Sequence, residues 1–161
     1  MGYSAERYHD ISCGHRVHNQ GSKCELLHGH NYRVHFVCEA AAGSLDDVGR
    51  VIDFSDIKAR LCMWLEDNWD HKFLAWVDDP VMLGLSNSFV GSRANPVADY
   101  IETLHASIVW VPFNPTAENM AEFLVEIIGP RQLADTGIRL VSCRVDETRK
   151  CSATYRVGAV T

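Results

Sequence analysis

No apolar run in the 161-residue sequence approaches the roughly 18 residues needed to cross a bilayer, and the polar start MGYSAERYHD holds no signal-peptide core. A membrane protein is therefore not expected, and a cytoplasmic location is. The sequence also lacks a Lys/Arg cluster and carries a formal charge of −6. Both features argue against a general nucleic-acid or membrane-surface binder, although a local basic pocket can still receive a small anion. Six cysteines are present without a single CxxC pair, so neither a four-cysteine zinc site nor a redox dithiol is indicated. Of these, Cys13, Cys38, Cys62, Cys143 and Cys151 read as small buried hydrophobes. Internal repeats and low-complexity tracts are missing too. What remains, 47% hydrophobic residues in a chain of this length, supports one core and a single domain over 1–161.

Periodicity predicts the elements. From His28 to Cys38 the residues His28, His30, Tyr32, Val34, Phe36 and Cys38 share one face of a strand, and Tyr8 to His15 forms a weaker strand that pairs with it. Ile57, Leu61, Trp64 and Leu65 recur at helical spacing behind an Asp53 or Ser55 cap. A second helix opens at Pro115-Thr116 with Thr116 as its cap, buries Met120, Phe123, Leu124, Ile127 and Ile128, and is expected to stop at Gly129-Pro130. Val141, Cys143, Val145 and Glu147 alternate along a further strand, which returns as a hairpin into a last strand from about Cys151 to Val157. The order of strands and helices predicts an α+β fold, two helices covering one face of an antiparallel sheet whose other face needs cover. Between Ala75 and Val111 the breakers Gly84, Ser86, Asn87, Ser88, Gly91, Ser92, Asn95 and Pro96 interrupt every period, and this stretch reads as an insertion.

Three imidazoles carry the first chemical signal. In His28-Gly29-His30 a strand sends both rings to one side, and His15 on the neighbouring strand supplies a third, giving the three-histidine pattern of catalytic zinc with one open position. An isolated HxH equally describes a turn with solvated histidines. His9, His18, His35 and His105 belong to no ligand pattern and are assigned surface or core roles. Cys24, four residues before His28, is placed to reach the same pocket, with Lys23 beside it to favour a thiolate. Asp70-His71 pairs a carboxylate with an imidazole suited to proton transfer near neutral pH, although such a pair by itself equally describes the polar end of a helix. Glu118 falls in the first turn of the second helix, where the helix dipole supports it. Glu147 reads either as an exposed strand end or as an inward carboxylate, which requires donors from a ligand.

Taken in order, Cys24-x-x-x-His28-Gly29-His30-Asn31-Tyr32, Gly49-Arg50-Val51-Ile52-Asp53-Phe54, Asp70-His71-Lys72-Phe73-Leu74, Pro115-Thr116-Ala117-Glu118-Asn119 and Glu147-Thr148 resemble the 6-pyruvoyl-tetrahydropterin synthase family, and within it most the 6-carboxy-tetrahydropterin synthase branch. The resemblance spans nearly the whole chain apart from 75–111. It implies the tunnelling fold, a four-stranded antiparallel sheet with two helices on one face, closing into a barrel in trimers that stack as hexamers with active sites between subunits. It also implies Zn2+ on His15, His28 and His30, a proton-transfer triad of Cys24, Asp70 and His71, and a pterin anchor at Glu147, with Glu118 and Thr116 on the pterin side. The three-residue gap between Cys24 and His28 resembles the carboxy branch. It implies a lyase that converts 7,8-dihydroneopterin triphosphate to 6-carboxy-tetrahydropterin, acetaldehyde and triphosphate in queuosine biosynthesis, with a small-molecule pterin as partner. Glu25 also resembles the glutamate of a variant branch that cleaves dihydroneopterin to 6-hydroxymethyl-dihydropterin, so a dual-function enzyme is an alternative. A non-catalytic zinc-stabilised module is a remoter one.

Overall fold

The computed structural model describes residues 2–90 and 98–158. Four long strands form the antiparallel part of the sheet: β1 (Ser4–His15), β2 (His28–Ala40), β5 (Ile138–Asp146) and β6 (Ser152–Arg156). Two short strands, β3 (Phe73–Trp76) and β4 (Ile108–Val111), extend it beyond β1 in parallel, giving the order β4-β3-β1-β2-β5-β6. The expected α+β architecture holds, and the sheet is two strands wider than expected. Parallel neighbours need a crossover rather than a tight turn. Accordingly the stretch 75–111, read as an insertion, supplies the second half of β3, all of β4 and, between them, the helices Pro80–Val90 and Ala98–Ala106. Its breakers Gly91, Ser92, Asn95 and Pro96 lie outside the described residues.

Two long helices cover one face. The first runs through Phe54–Ile57, a π turn Lys58–Cys62 and Met63–Asn68, and Asp53 caps it by accepting from Ser55 N. The second runs through Ala117–Phe123, a π turn Leu124–Ile128 and Gly129–Leu133, capped by Thr116. The π turns explain the buried faces. Ile57, Leu61, Leu65 and Trp69, like Met120, Leu124 and Ile128, recur at a strict spacing of four and are at most 4% exposed. An ideal helix would drift off the sheet over such a run, and the wider turn cancels the drift.

The same turn corrects two expectations. Val125 takes the core position expected for Ile127, which is exposed. Gly129-Pro130 does not stop the helix, because Pro130 falls in the first turn of a new α segment. Gly129 is instead a point of close approach: a Cβ there would lie 2.8 Å from Leu140 Cβ on β5. A bulge on β5 gives a third correction. Val37 pairs with Ser142 and Cys38 with Leu140, so Val141 is skipped and Leu140 joins Cys143 and Val145 in the core. Truncating Leu61, Leu65 or Leu124 to Ala should cost about 2–5 kcal/mol.

The opposite face of the sheet is charged. Arg33 makes a bidentate pair with Asp10 at 2.7 and 2.9 Å, and its guanidinium lies 4.2 Å over the Tyr8 ring. His35 is bracketed by Glu6 and Asp146 at 2.8 and 3.1 Å, with Arg144 alongside. Alternation along β1 and β2 thus separates an apolar face under the helices from a salt-bridged one.

Candidate active site

His15 closes β1 and His28 opens β2, and the antiparallel register sets them opposite each other, with Cys13 opposite His30. The i, i+2 spacing turns His28 and His30 to the face that continues through Tyr32 into the core. The three imidazoles therefore converge, each offering a ligand atom within 4.8 Å of the others. Gly29 makes the strand pairing possible, since a Cβ there would sit 2.9 Å from the Cys13 carbonyl oxygen.

Hydrogen bonds orient two of the rings. His15 Nδ1 donates to Pro115 O and His28 Nδ1 to Leu26 O, each at 2.7 Å, which makes Nε2 the lone-pair nitrogen of both rings. Tyr32 donates its hydroxyl to His15 Nε2 at 3.0 Å. Burial pushes the His15 pKa down to about 4, with the Pro115 bond opposing and the neighbouring histidines adding. Burial lowers His30 as well, with Glu147 opposing. His15 is thus neutral near pH 7, the form a metal ligand needs. Three inward imidazoles, two of them with fixed tautomers, fit a borderline divalent ion.

Glu147 lies one residue beyond β5 in the hairpin to β6, where its N–H donates to Cys151 O at 3.0 Å and the Thr148 hydroxyl accepts from Lys150 and Cys151. Its Oε1 stands 3.6 Å from Nε2 of both His15 and His30, so the inward carboxylate faces the histidines. Cys24 sits half-buried in the 3-10 turn Lys23–Glu25. It shares with Thr116, Glu118, Glu147 and Cys151 a cavity of about 210 Å³. Cys24 and the pterin-side candidates are therefore brought together beside the histidines. The Thr116 hydroxyl is engaged as the helix cap, accepting from Asn119 N at 3.2 Å.

Asp70 and His71 lie elsewhere. They extend the end of β3 against β1, Asp70 Oδ1 accepting from Ser12 N and His71 N donating to Ser12 O, both at 2.8 Å. Their side chains meet at 2.5 Å. Burial raises the Asp70 pKa but is outweighed by the bonds from Ser12 and His71, which hold the carboxyl below its usual range. His71 adopts φ +55, a left-handed conformation that costs a non-glycine residue about 1–2 kcal/mol. Its side chain is 83% exposed and borders a larger cavity, about 820 Å³, with Ser12, His30, Lys72, Glu147 and Arg149. Cys24 lines the first cavity and His71 the second; neither is lined by both. Glu25 lines neither, and its carbonyl accepts from Arg16 Nε at 2.8 Å.

The remaining histidines keep out of the cluster: His9 pairs with Glu66, His105 meets Ser86, and His18 stands near Asp79. Cys151 is exposed rather than buried, because it falls in the hairpin loop before β6. Sequence reasoning missed the roles of Tyr32, Pro115 and the Leu26 carbonyl. Tyr32 was visible as a member of the His28 face, whereas nothing in a sequence marks a main-chain acceptor 100 residues from its donor.

Residues 5–158 match the family described as "6-pyruvoyl tetrahydropterin synthase". The chain is 31% identical over 142 residues to the 6-carboxy-5,6,7,8-tetrahydropterin synthase of Rickettsia typhi, covering 88% of this chain and 91% of that one. It is 29% identical over 131 residues to the Haemophilus influenzae protein of the same name, covering 78% and 82%. Among solved structures, an uncharacterized protein of Wolinella succinogenes superposes with a TM-score of 0.82 at 26% identity over 97% of this chain and 98% of that one. The Caenorhabditis elegans 6-pyruvoyl tetrahydropterin synthase shares the fold, with a TM-score of 0.61 at 20% identity over 97% and 96%.

Proposed function

The chain belongs to the 6-pyruvoyl tetrahydropterin synthase family, and from that premise we propose that it is a 6-carboxy-5,6,7,8-tetrahydropterin synthase. The reaction converts 7,8-dihydroneopterin triphosphate, with uptake of one water, to 6-carboxy-tetrahydropterin, acetaldehyde and triphosphate. One observation carries the reading: the His15, His28 and His30 nitrogens converge where the Glu147 carboxylate closes one side, and Glu147 shares a cavity with Cys24.

His15, His28 and His30 would hold Zn2+, which supplies Lewis acidity toward the substrate's side-chain oxygens and so acidifies the adjoining C–H and O–H bonds. Glu147 accepts from the pterin 2-amino and N3–H groups, a paired set of charge-assisted bonds that fixes the ring. Glu118, on the same small cavity, is a second acceptor on the pterin side. Cys24 moves a proton at the substrate side chain, and His71, oriented by Asp70, moves the other. Because Cys24 and His71 line different cavities of one chain, the triad closes when a neighbouring copy presents its exposed His71. This fits a ring of subunits with sites at the interfaces, which we propose as a hexamer built from two trimers.

Among the described residues no helix is long and apolar enough to cross a membrane. We place the enzyme in the cytoplasm, in queuosine biosynthesis. Mass analysis of the products from 7,8-dihydroneopterin triphosphate and zinc-loaded protein tests the assignment. The expected product is 6-carboxy-tetrahydropterin with acetaldehyde; 6-hydroxymethyl-dihydropterin from dihydroneopterin would move the chemistry toward Glu25.

A further inference from the structure

The turn that carries Cys24 is held one carbonyl at a time. Val17 N donates to Cys24 O at 2.7 Å, Arg16 Nε to Glu25 O at 2.8 Å and His28 Nδ1 to Leu26 O at 2.7 Å. Of these three donors, Arg16 alone also reaches the segment after β3. It follows His15 directly and is 7% exposed, and its Nη1 makes an ion pair with Asp79, which is 1% exposed. Asp79 in turn caps the helix Pro80–Val90, its Oδ1 accepting from Val81 N at 2.9 Å and Met82 N at 3.4 Å. His18 faces the same carboxylate, its buried Nδ1 3.7 Å from Asp79 Oδ1 and without a hydrogen-bond partner.

A buried ion pair is a weak source of net stability, because desolvating both charges offsets most of their attraction. It is a strong source of direction. The planar guanidinium holds two acceptors at fixed angles, and Arg16 uses one edge for Asp79 and another nitrogen for the Glu25 carbonyl. The path is continuous, from the cap of the helix after β3, through one guanidinium, to the backbone of the residue next to Cys24.

We propose that Arg16 is a positioning residue that couples the segment following β3 to the Cys24 turn, so that Asp79 sets where the Cys24 thiol stands over the substrate cavity. This rests on the reading of Cys24 as the proton-transfer group. Arg16 touches no reacting atom and acts through the turn.

Arg16→Lys separates the two functions of the side chain. An ammonium keeps a positive charge against Asp79 but has no second nitrogen in a fixed fork for the Glu25 carbonyl. The variant should keep wild-type zinc content and thermal midpoint, while amide hydrogen exchange in residues 22–26 speeds up. At unchanged KM, kcat should fall by about 10²-fold, the loss that a displacement of roughly 1 Å brings. Asp79→Asn, which keeps a capping oxygen and a neutral acceptor for Arg16, is the second variant and should give a smaller loss in the same direction. Wild-type kcat and exchange in Arg16→Lys would overturn the proposal. So would a loss of rate in both variants that tracks lost zinc or lost folded fraction, because the pair would then serve stability alone. Cys24→Ala is the control: if it keeps the wild-type rate, the reading of Cys24 fails, and the exchange in residues 22–26 alone decides the coupling.

Discussion

The two halves of the proposed chemistry are built differently. The histidine side is complete within one chain: His15 is fully buried, its ring fixed by Pro115 and Tyr32, and Glu147 and Cys24 line one small cavity beside it. The Asp70–His71 side is equally well oriented, gripping the Ser12 main chain through the Asp70 carboxylate and the His71 N–H, yet its imidazole is 83% exposed and faces a different cavity from that of Cys24. In the proposed mechanism this ring, paired with Asp70 but held in a left-handed conformation and left in solvent, would meet Cys24 through a second copy of the chain. The difference would then separate what the fold builds alone from what the proposed assembly adds.

The largest effect should come from the complete half. His28→Ala or His30→Ala removes one of three protein ligands, so metal content and activity should fall together to background, measured by atomic absorption and product formation. Full zinc occupancy in either variant would break the comparison at its root. The next test concerns the open half. Cys24→Ala and His71→Ala proteins, each inactive alone, should recover a measurable fraction of activity when unfolded together and reassembled as mixed oligomers. No recovery would place both groups in one chain's site. Glu147→Gln should keep its metal but bind a pterin about 10- to 100-fold more weakly, the worth of a charge-assisted bond, as read by calorimetry. Loss of zinc in that variant would make Glu147 a ligand rather than an anchor.

The smallest effect is on the stability of the metal-free protein. The folded His15 value of about 4 lies below the 6.5 of a free imidazole. Between these values the unfolded chain binds more protons, so the stabilisation from a neutral His15 is full above about pH 6.5 and is lost as pH falls toward about 4. Urea midpoints across that window should decline with pH, and a flat profile would contradict the burial of His15.

Much of this was legible in the sequence, for physical reasons that can be named. Period two alone puts His28, His30 and Tyr32 on one face, and strands with a strict period fix facing whatever their neighbours do. The helices were legible as elements, while their buried faces shifted at Val125 because a π turn changes the angle per residue without leaving a composition signal. The strands β3 and β4 were hidden for a related reason. Each spans four residues, too short for a period, and their parallel pairing is defined only by the sheet. At the site, side-chain identity marked the histidines, Cys24 and Glu147. The Arg16–Asp79 link, 63 residues apart in the chain, had no local pattern to announce it.

The central claim is that Cys24, beside the three histidines, carries proton transfer in forming the carboxy product. The most direct test is the rate of 6-carboxy-tetrahydropterin formation from 7,8-dihydroneopterin triphosphate by Cys24→Ala and Glu25→Ala, compared with the wild type at matched zinc content. Cys24→Ala should lose about 10²–10⁴-fold, the contribution of a positioned acid or base, and Glu25→Ala should stay near the wild-type rate. A wild-type rate in Cys24→Ala, with the loss appearing in Glu25→Ala instead, would contradict the account.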